Sequence, residues 1–357
     1  MGKCTGRSIF LNKTKFGVLN DGTEISSYLL KNAGGMEVKV IDLGATVVSL
    51  LVRDAHGEIR DVVLGYDTPQ EYVDNTCYFG AVIGRSANRI AKGRFAIAGK
   101  TYQLAVNDNE NNLHSGPDGY DIRRWDVVQE DESSITFALD SPDGDQGFPG
   151  NFHVEIQYTL TDENELILHY TGSSDADTAA NLTNHSYFNL AGHDSGQILE
   201  HTLRIAADHY TPVADGQAIP TGEIAPVKGT PMDFTTAKPI GRDIGADFKQ
   251  LHFVQGYDHN YVLSKEAGEK KMMAEACCEK TGIRMEAFTD CPGMQFYAGN
   301  CITSQKGKGG VSYGPRHGFC LESQYYPNAI NQEGFASPLL RAGEKYDTTT
   351  SYKFSLK

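Results

Sequence analysis

The sequence lacks the motifs of the common cofactor enzymes and contains a single tryptophan. It has no GxGxxG that opens a helix, no GxxxxGK[ST], no HExxH and no GxSxG. The glycine cluster Gly307-Lys308-Gly309-Gly310 has no strand-to-helix context, so we interpret it as an ordinary flexible turn. These absences argue against dinucleotide, nucleoside triphosphate, zinc-peptidase and serine-hydrolase chemistry.

Cysteine is also sparse and unpatterned. The seven cysteines form no CxxC and no Cys/His pairing at zinc spacing, so the sequence predicts neither a metal nor another cofactor. Residues 1–20 contain no continuous apolar segment, and no run is long enough to span a bilayer. We therefore expect a reduced, cytoplasmic protein.

Basic residues are few relative to acidic ones. There are 32 Lys and Arg against 46 Asp and Glu, which gives a net charge of −14. Such a chain repels nucleic acid and anionic membrane, so we expect neither as a partner. A neutral small molecule meets no such repulsion.

Long amphipathic helices are missing, and apolar residues recur instead with a period of two. The alternation is clear over 153–160, 134–140, 165–170 and the C-terminal 352–356, which predicts half-buried strands. Only short segments such as 69–73 fit a single helical turn.

Many strands without intervening helices require an antiparallel sandwich or barrel. There is no linker, repeat or low-complexity tract, so we expect an all-β fold with one large sandwich domain over residues 1–357. Two domains are the alternative, because the chain is longer than most β domains.

Five polar residues lie in apolar or turn-forming surroundings and are candidates for chemistry: Arg89, His114, His185, Asp258 and Glu322. Each also has a structural interpretation. A histidine can be a hydrogen-bonded core residue, a glutamate the solvent-facing member of a strand, and an arginine the cap of a turn. The pattern alone does not bring them together in space.

Ordered motifs along nearly the whole chain resemble the aldose 1-epimerase family, also called galactose mutarotases. The most specific is the run Gly84-Arg-Ser-Ala-Asn-Arg-Ile-Ala-Lys-Gly93. The other matching segments are Leu64–Asp67, Asn112–His114, Asp143–Gly150, Thr183–Leu190, Pro220–Glu223, Thr230–Phe234, Tyr257–His259 and Glu322–Pro327. Near the end, Ser323 and Asn328 stand where the family often has Thr and Asp.

This resemblance implies a large antiparallel β-sandwich with an open cleft on one sheet. It implies that Glu322 is the general base and His185 the general acid in the interconversion of α and β anomers of a free aldose. His114, Arg89 and Asp258 would bind sugar hydroxyls, and the resemblance adds Asn88 and Gln295. It implies no metal and no cofactor.

Three other functions stay open at this point. A glycoside hydrolase could use Asp258 and Glu322 as its carboxylate pair. A non-catalytic sugar-binding module would need exposed aromatic platforms, and a phosphorylated hexose would need a Lys/Arg cluster, which the sequence does not reveal. The preferred aldose and the oligomeric state are also open.

Overall fold

Strands dominate the computed structural model, which describes residues 13–75, 77–263 and 268–357. Most of the N-terminal segment considered above for a targeting signal, residues 1–12, lies outside these ranges. The strands of the described residues are β1 (Lys13–Val18), β2 (Glu24–Lys31), β3 (Glu37–Ile41), β4 (Thr46–Arg53), β5 (Ile59–Asp61), β6 (Val82–Ile83), β7 (Arg89–Ile90), β8 (Arg94–Ile97), β9 (Lys100–Gln103), β10 (Asn112–Leu113), β11 (Asp126–Glu130), β12 (Ser134–Ser141), β13 (Phe152–Leu160), β14 (Glu165–Ser174), β15 (Thr178–Ala179), β16 (Thr183–Asn184), β17 (Thr202–Ile205), β18 (His209–Tyr210), β19 (Ala225–Pro226), β20 (Lys238–Pro239), β21 (Asp258–Val262), β22 (Lys271–Cys278), β23 (Ile283–Thr289), β24 (Gly293–Tyr297), β25 (Gln305–Lys306), β26 (Ser312–Tyr313), β27 (Cys320–Gln324), β28 (Leu339–Leu340) and β29 (Lys345–Leu356).

The four alternating segments form neighbouring strands of one nine-stranded sheet. Its order is β11-β12-β13-β14-β29-β23-β22-β17-β20, and its strand pairs are antiparallel. Inward-facing residues meet in register, as in Phe137 opposite Ile156 and Ile156 opposite Tyr170. This pairing buries one apolar face, and the predicted all-β fold is confirmed.

Helix is confined to short pieces. The predicted helical turn is α1 (Pro69–Asp74), which begins with a capping box formed by Thr68 and Glu71. A second helix, α2 (Lys249–Phe253), was not predicted, because its five residues are too few to show a helical period.

Two five-stranded sheets pack against the nine-stranded sheet. One has the order β1-β2-β3-β4-β5, and the other has the order β19-β18-β21-β24-β27. One hydrophobic core contains residues of all three sheets, such as Val38, Ile156 and Phe296. The face of β24 and β27 that points away from this core carries the polar side chains described in the next subsection.

The glycine cluster 307–310 forms a turn, as predicted, and this turn carries a buried lysine. Lys308 is buried, and its ammonium group donates to the carbonyls of Val48 and Val63 and to the carboxylate of Asp61 at 2.6 to 2.8 Å. The glycines therefore let the chain bring a buried cation onto the edge of the first sheet.

The six cysteines of the described residues are free thiols, five of them buried. In the same residues, no helix has the length and apolar character needed to cross a membrane.

Candidate active site

Adjacent strands β21, β24 and β27 place polar side chains on one face. Gln295 pairs with both Asn260 and Glu322, and Tyr297 pairs with both Asp258 and Cys320. Paired residues point to the same side of a sheet, so two rows of functional groups lie side by side. The intervening residues Phe296 and Leu321 enter the hydrophobic core, which fixes the register.

Two small strand pairs bring the remaining candidates to this face. His185 follows β16, which pairs with β6, and its N–H donates to the carbonyl of Ala81. Arg89 begins β7, which pairs with β10, and His114 follows β10. The N–H of His114 donates to the carbonyl of Asn88 at 3.0 Å, so the two segments are tied directly to each other.

A pocket of about 170 Å³ lies where these elements meet. Six of the seven predicted site residues line it, and Gln295 lies behind them. The pocket is lined by Tyr78, Asn88, Arg89, Leu113, His114, His185, Tyr187, Asp258, Tyr297, Cys301 and Glu322. The structure therefore brings together residues that are separated by more than 200 positions in the sequence.

Three residues of the pocket wall have a left-handed backbone conformation. The φ angles of Tyr78, Asn88 and His114 are 58°, 57° and 51°. This conformation is uncommon for side chains other than glycine and asparagine, and such residues concentrate at functional sites. The surrounding hydrogen bonds therefore hold the pocket side chains in place although the backbone conformation at these residues is energetically unfavourable.

His185 and Glu322 form the centre of the pocket. Nε2 of His185 lies 3.6 Å from Oε2 of Glu322, and 5% and 2% of the two residues are exposed. Burial lowers the pKa of His185 to about 4. Burial and the nearby Asp258 carboxylate raise the pKa of Glu322 well above its ordinary value, against the effect of Arg89. Burial thus disfavours the ionised forms of both groups and favours a pair that holds a single proton.

His114 differs from His185 in its proton-transfer capacity. Its Nδ1 accepts the backbone N–H of Asn88 at 3.1 Å, so the proton of the neutral ring lies on Nε2. A proton on Nδ1 of His114 would point at the backbone N–H of Asn88, and the two donors would repel each other. Burial and the neighbouring His185 and Arg89 also lower the pKa of His114 well below its ordinary value. His114 is therefore built as a fixed hydrogen-bond donor.

Arg89 is held among carboxylates. Its Nε donates to Asp108 at 2.7 Å, and its charge opposes the rise that burial causes in the pKa of Asp258. The Asp258 carboxylate also accepts Nε2 of Gln295 at 2.7 Å. Gln295 therefore positions Asp258 and does not line the pocket itself.

The chemistry of the donor set argues against a metal site. His114, His185 and Glu322 each offer a possible ligand atom, and these atoms lie within 4.8 Å of one another. Tetrahedral zinc with bonds of about 2.0–2.2 Å holds its ligand atoms within roughly 3.5 Å of each other. In addition, the Asn88 N–H leaves Nε2 of His114 protonated and unable to ligate. The arrangement suits proton transfer and hydrogen bonding to a polar ligand.

Sequence reasoning missed several residues of the wall. Tyr187 lies two positions after His185 in the matched segment Thr183–Leu190, so the motif could have predicted that it lines the pocket. Tyr78 and Cys301 lie outside the quoted motifs, and Asp108 is identified only by its contact with Arg89. The departures Ser323 and Asn328 do not line the pocket: Ser323 bonds Thr350, and Asn328 accepts the N–H of Ala91.

We expect Asp108→Asn to raise KM about 5- to 20-fold with little change in kcat, because Arg89 loses the charge that orients its guanidinium group in the pocket. Steady-state kinetics by polarimetry would measure this. Asp177→Asn is the matched control, since it breaks an exposed ion pair with Arg341. An unchanged KM in Asp108→Asn would contradict the positioning role.

Comparison with known proteins gives this geometry its context. The family model described as "Aldose 1-epimerase" matches residues 26–353. The chain belongs to the aldose 1-epimerase family. It is 43% identical to the galactose mutarotase of Rattus norvegicus over 98% of this chain and 99% of that protein. It is 39% identical to the aldose 1-epimerase of Escherichia coli strain K12 over 94% and 96%.

The structural comparison agrees. An aldose epimerase homologue from C. elegans superimposes with a TM-score of 0.85 at 31% identity, covering 92% of this chain and 99% of that one. Membership of the aldose 1-epimerase family makes the chain a carbohydrate isomerase, as the sequence predicted. The hydrolase and the non-catalytic binding module find no support in these matches.

Proposed function

We propose that the pocket interconverts the α and β anomers of a free aldose such as galactose or glucose, with Glu322 as general base and His185 as general acid. The observation that carries this proposal is the pair itself: a carboxyl group and an imidazole 3.6 Å apart, both buried in a pocket that has room for one sugar ring. Proton transfer is the chemistry that such a pair performs.

The reaction needs only a movement of protons. The pair first moves its single proton from Glu322 to Nε2 of His185. Glu322 then takes the proton of the C1 hydroxyl while Nε2 gives its proton to the ring oxygen, and the bond between C1 and that oxygen breaks. The open-chain aldehyde turns about the C1–C2 bond. His185 then takes the proton back as the hydroxyl attacks the other face of C1, and Glu322 returns its proton to the former carbonyl oxygen. Each positioned group contributes about 10²–10⁴ in rate.

The other polar groups suit the role of holding hydroxyls. His114 donates from Nε2, Arg89 donates from its guanidinium, and Asp258 accepts. Hydrogen bonds to charged groups contribute about 1.5–3 kcal/mol each. We assign these three residues and Asn88 to sugar binding, and Gln295 to positioning Asp258.

The charges of the pocket favour an unphosphorylated sugar. Among the described residues that line it, Arg89 is the one lysine or arginine, and it is already paired with Asp108. Asp258 and Glu322 add further negative potential. A phosphate dianion would meet carboxylates without a free cation, so this alternative is disfavoured.

Polarimetry tests the proposal. We expect freshly dissolved α-D-glucose and α-D-galactose to reach their equilibrium rotation faster with the protein than with buffer alone. Protein dialysed against a strong chelator, with no nucleotide added, should be equally active because the donor set does not fit a metal. Loss of activity that one metal restores would overturn the cofactor-free mechanism, and no acceleration at all would refute the proposed function.

Two further assignments accompany this proposal. A cytoplasmic location agrees with six free thiols in the described residues. A single domain over residues 1–357 agrees with one hydrophobic core that contains residues from Tyr28 to Phe354.

A further inference from the structure

The two histidines of the pocket have different neighbours at Nδ1. His114 faces a backbone N–H, whereas Nδ1 of His185 lies 3.5 Å from Sγ of Cys320. Cys320 is two residues before Glu322 on β27, and the two side chains therefore point to the same face. The thiol is fully buried, so water cannot replace it as a partner for the imidazole.

The ring of His185 cannot turn away from this sulfur. Its planes are flanked by Tyr187, with ring centroids 5.0 Å apart and 20° between planes, and by Tyr78 at 5.8 Å and 28°. The His114 ring also contacts the His185 ring in an edge-to-face arrangement, with ring centroids 5.3 Å apart. These contacts restrict rotation of the ring, whose Nδ1 lies beside Cys320 and whose Nε2 lies beside Glu322.

The two ring nitrogens of His185, Nδ1 and Nε2, therefore have different roles. Oε2 of Glu322 has no hydrogen-bond partner among the described residues, and Nε2 of His185 is the ring nitrogen that faces it. To receive a proton on this side, neutral His185 must carry its ring proton on Nδ1. That N–H then needs an acceptor, and sulfur is a weak acceptor within reach.

We propose that Cys320 is a positioning residue: its sulfur accepts the Nδ1–H of His185 and so keeps Nε2 free for proton transfer with the sugar. This inference rests on the proposed function, because it assigns a tautomer to the residue proposed as the acid. Burial raises the pKa of the Cys320 thiol well above its usual range, so the sulfur is a neutral group. Its role is to orient the ring, and it does not stabilise the imidazolium by charge.

The imidazole ¹⁵N resonances of His185 test the tautomer in the resting protein, with His185→Asn as the assignment control. We expect the wild-type protein to have a protonated Nδ1 and an unprotonated Nε2. Cys320→Ala should shift the population toward the Nε2–H form and lower kcat about three- to tenfold with little change in KM, and Cys320→Ser, which retains an acceptor, should restore both. Cys278→Ala is the control for loss of a buried thiol outside the pocket.

The spectrum requires no sugar and no turnover, so it separates this inference from the proposed function. A wild-type proton on Nε2, or a Cys320→Ala protein with an unchanged tautomer and unchanged kcat, would overturn the role of Cys320. Wild-type turnover in His185→Asn would instead refute the proposed acid while leaving the measured tautomer in place. If Cys320→Ala folds poorly, as a melting curve would show, the Cys320→Ser protein and the wild-type spectrum still decide the question.

Discussion

Replacing Glu322 by Gln should lower kcat by about 10²-fold or more, because an amide keeps the shape of the carboxyl group but cannot take the C1 proton. Polarimetric initial rates would measure the loss. Glu286→Gln makes the same chemical change in an ion pair on β23 and is the matched control. Wild-type rates in Glu322→Gln would remove this residue from the mechanism.

The same substitution should not destabilise the protein at neutral pH. An acid whose pKa is raised by folding costs stability as pH increases from its unfolded pKa, about 4.3, toward its folded one. Glutamine carries no such penalty. The melting temperature of the variant should therefore match that of the wild type near pH 4 and equal or exceed it at pH 7. A lower value at pH 7 would show that the carboxylate is stabilised in the fold.

Replacing His185 by Asn should lower turnover by a similar factor and change the shape of the pH profile. The wild-type profile of kcat/KM should be bell-shaped, because only the state with one proton on the pair is productive. Since burial lowers the pKa of His185 to about 4 and raises that of Glu322, the acid limb should report uptake of a second proton near the lower value. The basic limb should report loss of the last proton, at the raised pKa of Glu322.

In His185→Asn, only the ionisation of Glu322 is left. The residual rate should rise with pH through the raised pKa of this carboxyl group and show no basic limb. Initial rates from about pH 4 to 9, corrected for the uncatalysed reaction in the same buffer, would show this. Persistence of the basic limb would assign the acid to another group, although the Asn88 N–H on His114 makes that histidine a poor substitute.

The fold was largely predictable because its strands are amphipathic. Residues 153–160 alternate perfectly, and they form nearly all of β13 (Phe152–Leu160). Strands such as β27 are buried on both faces and show no alternation, so their pairing depends on contacts with distant segments. The two-residue strands β6, β7, β10 and β16, which position the site, are too short to give any periodic signal.

The candidate site was predictable through motifs and not through local pattern. Glu322 and His185 were named by resemblance, and the structure brings them into one pocket. The partner of Arg89 was not predictable. Asp108 lies in the connection between β9 and β10, and only the fold brings its carboxylate to Arg89. The direction of the pKa shifts depends on burial of the pair, which no sequence pattern measures.

The position of β29 has a consequence for how the chain acquires its structure during synthesis. This last strand lies at the centre of the nine-stranded sheet, between β14 and β23. Until residues 345–356 leave the ribosome, β14 and β23 lack the strand that joins them, and unpaired strand edges are prone to aggregation. The pairing also spans long sequence separations, which slows folding. We therefore expect chains that lack residues 345–356 to aggregate more readily than the full chain.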